Sequence, residues 1–130
     1  MKDWSKAEWV DPKYDWHPKA VAELPERVLI DFATRCNLRC PMCPVWGSED
    51  NNAIESVRGI MAEGKARQML DELMAAKPLV QPNMYGEPLL IPNLRDVLSG
   101  MKSRGMTIAF NTNGLTLTQE LAEFFVDIGV

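Results

Sequence analysis

The stretch that decides the fold of this chain is Cys36-Asn37-Leu38-Arg39-Cys40-Pro41-Met42-Cys43-Pro44. It contains all three cysteines of the 130-residue sequence, in the spacing C-x3-C-x2-C. Thiolates are soft ligands, and three of them on one short loop can converge on a metal with no help from the rest of the fold. A four-iron cluster held by three thiolates keeps one iron without a protein ligand, and that iron can take a substrate or a second cofactor.

Other interpretations of the three cysteines stay open at this point. Free cysteine is among the most buried residue types, so the thiols can be ordinary core residues. A disulfide framework calls for an even number of cysteines in a secreted chain. A structural zinc site requires a fourth ligand, and the single histidine, His17, lies well upstream in no zinc-like spacing. The close grouping of the three cysteines favours an iron–sulfur site over a zinc or thiol-redox site.

Composition limits the class of protein. A length of 130 residues is one domain's worth of chain, and contents of 46% hydrophobic and 25% charged residues are ordinary for a globular protein. The net charge of −4 argues against a nucleic-acid partner, which would require clustered basic residues. No apolar run is long enough to span a membrane, and the N-terminus lacks the apolar core of a signal peptide. Reactive thiols without a secretion signal predict a cytoplasmic protein.

The order of predicted elements divides the chain in two. Residues 1–27 combine aromatic residues with several prolines, so we expect an irregular N-terminal arm that packs on the domain or on a partner. Residues 28–130 read as three βα units, with a long polar loop over residues 46–61. The predicted strands are residues 28–32, 79–85 and 106–110. The first predicted helix begins at Ala62 and is ended by Pro78. The second runs from Asn93, its N-cap, to Arg104, and Gly105 follows as its stop. The third begins at a cap at Thr116 or Thr118, and its buried stripe is Leu121, Phe124, Phe125 and Ile128.

Each predicted strand runs directly into a polar turn. The first strand leads into the cysteine loop, the second into Tyr85-Gly86-Glu87-Pro88, and the third into Asn111-Thr112-Asn113-Gly114. Right-handed crossovers make such strands parallel, so all three turns are expected at one edge of the sheet. Parallel α/β proteins place their chemistry at this edge.

The cysteine loop after a strand resembles the signature of the radical S-adenosylmethionine (radical SAM) enzymes. The resemblance implies that Cys36, Cys40 and Cys43 hold a [4Fe-4S] cluster and that SAM chelates the open iron through its amino and carboxylate groups. It also implies that one electron from the cluster cleaves SAM to methionine and a 5′-deoxyadenosyl radical, which abstracts hydrogen from the substrate. Met42 stands where the family usually has an aromatic residue, a departure that still allows a backbone contact to adenine but removes the ring.

The other two turns extend the resemblance over about residues 28–130. The second turn resembles the Gly-Gly-Glu-Pro motif that receives the amino group of SAM, with Tyr85 in place of the first glycine. The resemblance therefore implies a SAM-binding set of Met42, Tyr85, Gly86, Glu87 and Pro88. The third turn resembles the Thr-Asn-Gly that lies near SAM or substrate, which implies a proximal set of Asn111, Thr112 and Asn113.

The family fold implied is a partial (β/α)6 TIM-like barrel, of which this chain supplies the first three units. The sequence stops at Gly129-Val130, where a fourth strand would begin, so we expect a fragment, a truncated form or a split subunit. An open sheet edge favours self-association or a partner chain that completes the barrel. The other partners implied are a reductant such as flavodoxin or ferredoxin and an unassigned substrate, with no nucleic acid and no membrane.

Two hypotheses of function follow, and a third is weaker. The first is a radical SAM enzyme, or its catalytic N-terminal part, that reductively cleaves SAM. The second is a non-catalytic module that binds a cluster or zinc and requires a partner. SAM cleavage separates the two, because metal binding is common to both. A thiol redox protein fits less well, since the C-x-x-C pair does not open a helix as in thioredoxins.

Overall fold

Three short parallel strands lie at the centre of the computed structural model, which describes residues 24–47 and 58–130. They are β1 (Arg27–Leu29), β2 (Leu79–Gln81) and β3 (Thr107–Ile108), and their order in the sheet is β1-β2-β3. Both pairings are parallel, with Val80 opposite Val28 on one side and opposite Ile108 on the other. The helices are α1 (Glu63–Leu73), α2 (Leu94–Ser103) and α3 (Gln119–Ile128), with a 3-10 turn at Pro88–Leu90. The predicted α/β class with three parallel βα units is confirmed.

The strands are shorter than predicted because the residues that follow them hydrogen-bond to other segments or lack a backbone N–H. After β1, the chain turns to the segment before α1: Met61 N donates to Phe32 O at 2.9 Å, and Ala33 forms an antiparallel bridge with Ile60. After β2, Pro82 has no N–H to continue the ladder. The predicted third strand, residues 106–110, is regular only at Thr107–Ile108.

The core lies between the sheet and the helices. Val80, Leu98 and Met101 are fully buried, and their neighbours in the same cluster are Ile30, Phe32, Leu70, Met106 and Ile108. The α3 stripe packs against this cluster on the predicted side, although its residues are only partly buried. Phe125 of that stripe makes an edge-on contact with Phe110, with ring centroids 5.3 Å apart.

One helix end lies elsewhere than predicted, and one predicted cap has a different geometry. Helix α1 ends at Leu73 rather than at Pro78, Met74 is its half-exposed C-cap, and Lys77 has a left-handed backbone with φ of 46°. Asn93 does occupy the N-cap position of α2. Its backbone is left-handed, with φ of 53° and ψ of 37°, and its side chain makes no capping hydrogen bond. Gly105 ends α2 with φ of 77°, as predicted for a glycine stop.

Parts of two predicted segments lie outside the description. Residues 1–23 of the predicted arm and residues 48–57 of the predicted loop are outside the described residues. Among the described residues, none of the helices reaches the length and hydrophobicity that a membrane span requires.

Replacing Thr118 with alanine is expected to destabilise the protein by about 1 kcal/mol, because Thr118 Oγ1 accepts a hydrogen bond from Leu121 N at 3.2 Å and caps α3. The measurement is the free energy of unfolding in urea. Thr116→Ala is the matched control, since Thr116 is exposed and hydrogen-bonds to no described residue, and its change should stay within about 0.5 kcal/mol. Equal losses in the two variants would contradict the assignment of the cap.

Candidate functional site

The cysteine loop follows β1 at the carboxyl edge of the sheet. All three thiols are free and half-buried. Backbone hydrogen bonds fold the loop back on itself, from Cys43 N to Cys40 O and from Gly47 N to Cys43 O, both at 2.9 Å. Two sulfurs accept hydrogen bonds from backbone amides: Cys36 Sγ from Leu38 N at 3.4 Å and Cys43 Sγ from Trp46 N at 3.3 Å. Hydrogen bonds to the ligating sulfurs are one of the means by which a protein tunes an iron–sulfur cluster.

The chemistry of the donor set fits an iron–sulfur cluster, since three soft sulfur ligands lie on one loop with amide donors already directed at two of them. Within the described residues, no three Cys, His, Asp or Glu side chains converge on a point where a single metal ion would sit. A cluster site is a different arrangement, because each thiolate of a [4Fe-4S] cluster ligates a different iron.

The second turn lies directly against the chain segment that enters the cysteine loop. Glu87 N donates to Arg35 O at 2.6 Å. A methyl group in place of a Gly86 hydrogen would overlap the carbonyl oxygen of Ala33 and lie only 3.2 Å from Arg35 N. Glycine is thus required at this position by the close approach of two backbones.

Glu87 connects the second turn to the third. The residue is 4% exposed, and its Oε1 accepts hydrogen bonds from Leu89 N at 3.1 Å and from the Thr112 hydroxyl. Its Oε2 accepts a hydrogen bond from Asn113 N at 2.9 Å. Three of the carboxylate's roughly four acceptor positions are thereby occupied by the protein itself. The Glu87 carboxylate therefore links the second turn to the third through hydrogen bonds and acts as a brace between them.

The third turn also contacts the cysteine loop. Asn113 Nδ2 donates to Asn37 Oδ1 at 2.8 Å, which joins the turn after β3 to the residue that follows Cys36. Asn83 lies between the second and third turns, since its Nδ2 donates to Gly86 O at 3.3 Å and to Asn111 O at 3.2 Å. The three turns predicted to meet at one edge are therefore joined by side-chain hydrogen bonds.

The remaining residues of the predicted set differ in exposure. Met42 is 84% exposed at the tip of the cysteine loop, whereas Pro88 is fully buried at the start of the 3-10 turn. Tyr85 is half-exposed, and its carbonyl oxygen accepts a hydrogen bond from the indole Nε1 of Trp46 at 2.7 Å.

Sequence reasoning missed four residues that hold the turns in place: Asp31, Asn37, Trp46 and Asn83. Asp31 Oδ1 accepts hydrogen bonds from Met84 N at 2.8 Å and from Tyr85 N at 3.1 Å. The available signal was that Asp31 is the one charged residue in an otherwise apolar predicted strand. For Asn37, Trp46 and Asn83 the sequence offers no comparable signal, since their partners are between 3 and 76 positions away.

These features define a class: an α/β protein in which three strand-end turns, one of them a three-cysteine loop, meet at one edge of a parallel sheet. The family profile of the radical SAM superfamily matches residues 30–130. The chain belongs to the radical SAM superfamily, whose members use a [4Fe-4S] cluster and S-adenosylmethionine and generally need a reductant.

Two curated proteins show sequence similarity. The chain is 30% identical over 103 residues to the tungsten-containing aldehyde ferredoxin oxidoreductase cofactor-modifying protein of Pyrococcus furiosus. This match covers 78% of this chain and 27% of that protein. The chain is 34% identical over 109 residues to the PqqA peptide cyclase of Streptomyces rochei, and this match covers 82% of this chain and 28% of that protein. The chain thus spans little more than a quarter of the length of these relatives.

Solved structures of BtrN show the same fold. The crystal structure of BtrN in complex with AdoMet and 2-DOIA superposes with a TM-score of 0.70 at 21% identity, covering 85% of this chain and 44% of BtrN. An open conformation of BtrN gives a TM-score of 0.68 at 22% identity and 49% coverage of that chain. This likeness confirms the predicted radical SAM type of barrel, of which the described part forms a portion.

Proposed function

We propose that this chain is the cluster- and SAM-binding part of a radical SAM enzyme, with Cys36, Cys40 and Cys43 as the ligands of a [4Fe-4S] cluster. The observation that carries the proposal is the direct apposition of the second turn to the entrance of the cysteine loop, through the contact of Gly86 with Ala33 and the hydrogen bond from Glu87 N to Arg35 O. This contact supports the proposal, because it brings the proposed SAM-binding turn next to the loop that carries the proposed cluster ligands.

When bound, the cluster supplies the electron that cleaves SAM reductively to methionine and a 5′-deoxyadenosyl radical for hydrogen abstraction. The residues of this chain bind and orient. Backbone carbonyls of the second turn suit the ammonium group of SAM, and Gly86 lets the backbone approach closely. Because the Glu87 carboxylate is largely occupied by Leu89, Thr112 and Asn113, we assign Glu87 a positioning role, and its negative charge favours an ammonium group nearby.

The hydrogen-bond donors of Thr112 and Asn113 in the third turn position the other two turns, so they are not available to a ligand. The hydroxyl of Thr112 and the amide of Asn113 are directed at Glu87, and the Asn113 side chain is directed at Asn37. The Asn111 side chain is exposed and can face SAM or substrate. The exposed tip of the cysteine loop at Met42 suits the approach of a reductant such as flavodoxin or ferredoxin, in a reducing cytoplasmic compartment.

The test is anaerobic reconstitution of the protein with iron and sulfide, followed by reduction and EPR spectroscopy with and without SAM. We expect a reduced four-iron signal that changes when SAM is added, because one iron has no protein ligand. In the control variant Cys40→Ala, iron and sulfide content should fall to background. A cluster signal that does not respond to SAM would support the non-catalytic module instead, and zinc without a cluster would overturn the enzyme proposal.

A further inference from the structure

Trp46 joins the cysteine loop to the second turn. Its backbone N–H donates to Cys43 Sγ at 3.3 Å, and its indole Nε1–H donates to the carbonyl oxygen of Tyr85 at 2.7 Å. These two bonds arise from one residue but end 42 positions apart in sequence, on loops that follow different strands. A single residue, through its backbone N–H and its indole N–H, therefore connects the proposed cluster ligand Cys43 to the turn expected to receive the cofactor.

The surroundings of Trp46 make this connection rigid. The residue is 7% exposed, and it forms a small buried cluster with Val45, against which Cys36 and Cys43 pack. Two guanidinium groups lie over its ring, Arg39 at 5.1 Å and Arg58 at 4.8 Å from the centroid. A buried indole with a satisfied N–H and flanking cations has few alternative rotamers, so its two ends are held at a fixed separation.

We propose that Trp46 is a positioning residue that sets the spacing between the cluster and the ammonium site of SAM; this inference rests on the proposed function. A ligand that must reach an iron and a protein turn at once binds more tightly when the two sites are already correctly spaced. Trp46 fixes this spacing next to the third cysteine, through its bonds to Cys43 and Tyr85. Next to the first cysteine, the spacing is fixed by the backbone contacts of Gly86 and Glu87.

The test variant is Trp46→Phe, which keeps an aromatic ring for Val45 and the arginines but removes the indole N–H. We expect iron and sulfide content equal to the wild type and a SAM concentration for the half-maximal EPR change that is about fivefold to tenfold higher, the effect of one lost hydrogen bond on ligand placement. A second measurement uses the cluster-free proteins. Backbone amides of residues 84–87 should exchange with deuterium faster in the variant, while those of α2 should exchange at the wild-type rate.

Each outcome decides the inference. Wild-type SAM affinity in Trp46→Phe, at full cluster content, would overturn it. Loss of the cluster with unchanged exchange at residues 84–87 would also overturn it, because Trp46 would then position the cysteine loop alone. If the EPR signal of the wild-type cluster does not change when SAM is added, the proposed function fails. The exchange measurement still reports whether Trp46 couples the cysteine loop to the second turn.

Discussion

The Gly86→Ala variant is expected to lose about 3 kcal/mol of stability and to bind SAM at least tenfold more weakly. The added methyl group would overlap the carbonyl oxygen of Ala33, and it would lie 3.2 Å from Arg35 N. Both obstacles are backbone atoms that cannot rotate away, so the second turn must move off the cysteine loop, as in an overpacked core. The hydrogen bond from Glu87 N to Arg35 O is expected to break with it.

The measurements are urea unfolding and the SAM-dependent change in the EPR signal of the reconstituted protein. Gly64→Ala is the matched control, because the same methyl group at Gly64 meets no atom within 4 Å and lies within α1. Alanine is the better helix former, so this control should gain up to about 1 kcal/mol. If Gly86→Ala folds with wild-type stability and SAM affinity, the close apposition of the two backbones is wrong.

The Glu87→Ala variant is expected to lose about 3 kcal/mol of stability. Removal of the carboxylate leaves the amides of Leu89 and Asn113 without their acceptor in a part-buried site, and each such loss costs roughly 1–3 kcal/mol. The isosteric Glu87→Gln is expected to lose about half as much. Its single oxygen can still accept from Leu89 N and Thr112, but its NH2 group then faces the Asn113 N–H, donor against donor.

The order of stabilities distinguishes a brace from a simple charge. Urea unfolding should rank the wild type above Glu87→Gln and Glu87→Gln above Glu87→Ala. Glu123→Gln is the control for the same chemical change, since Glu123 is exposed on α3 and its change should stay within about 0.5 kcal/mol. If Glu87→Gln keeps full stability while SAM affinity alone falls, Glu87 contacts the cofactor rather than bracing the turns.

Most of the architecture could be predicted because local patterns report local structure. The apolar periodicity of residues 93–104 predicted α2 to within one residue at each end, and Gly105 predicted its stop. The strand lengths could not be predicted in this way. Apolar character continues through Phe32 and Phe110, whereas ladder hydrogen bonds stop where a neighbouring segment competes or, at Pro82, where no donor exists.

The predicted site residues do meet at one edge of the sheet, but the roles of several depend on partners far away in sequence. Glu87 was expected to bind SAM, and in the structure its carboxylate accepts hydrogen bonds from Thr112 and Asn113 of the third turn. Whether it also contacts the cofactor stays a prediction. Asp31 and Trp46 belong to the site because they contact the second turn. Their sequence positions did not predict these contacts, since an aspartate in a strand or a tryptophan in a loop can have many other roles.

Residue types and their spacing were enough to predict the kind of site: three cysteines in one loop, two polar turns at the ends of later strands, and a repeating βα order. The contacts that hold the turns together became known from the three-dimensional fold. They are made by Glu87, Trp46, Asp31 and the Asn37–Asn113 pair. The physical reason is that a hydrogen bond depends on distance and direction in space, and parallel β pairing brings together residues that are tens of positions apart in the chain.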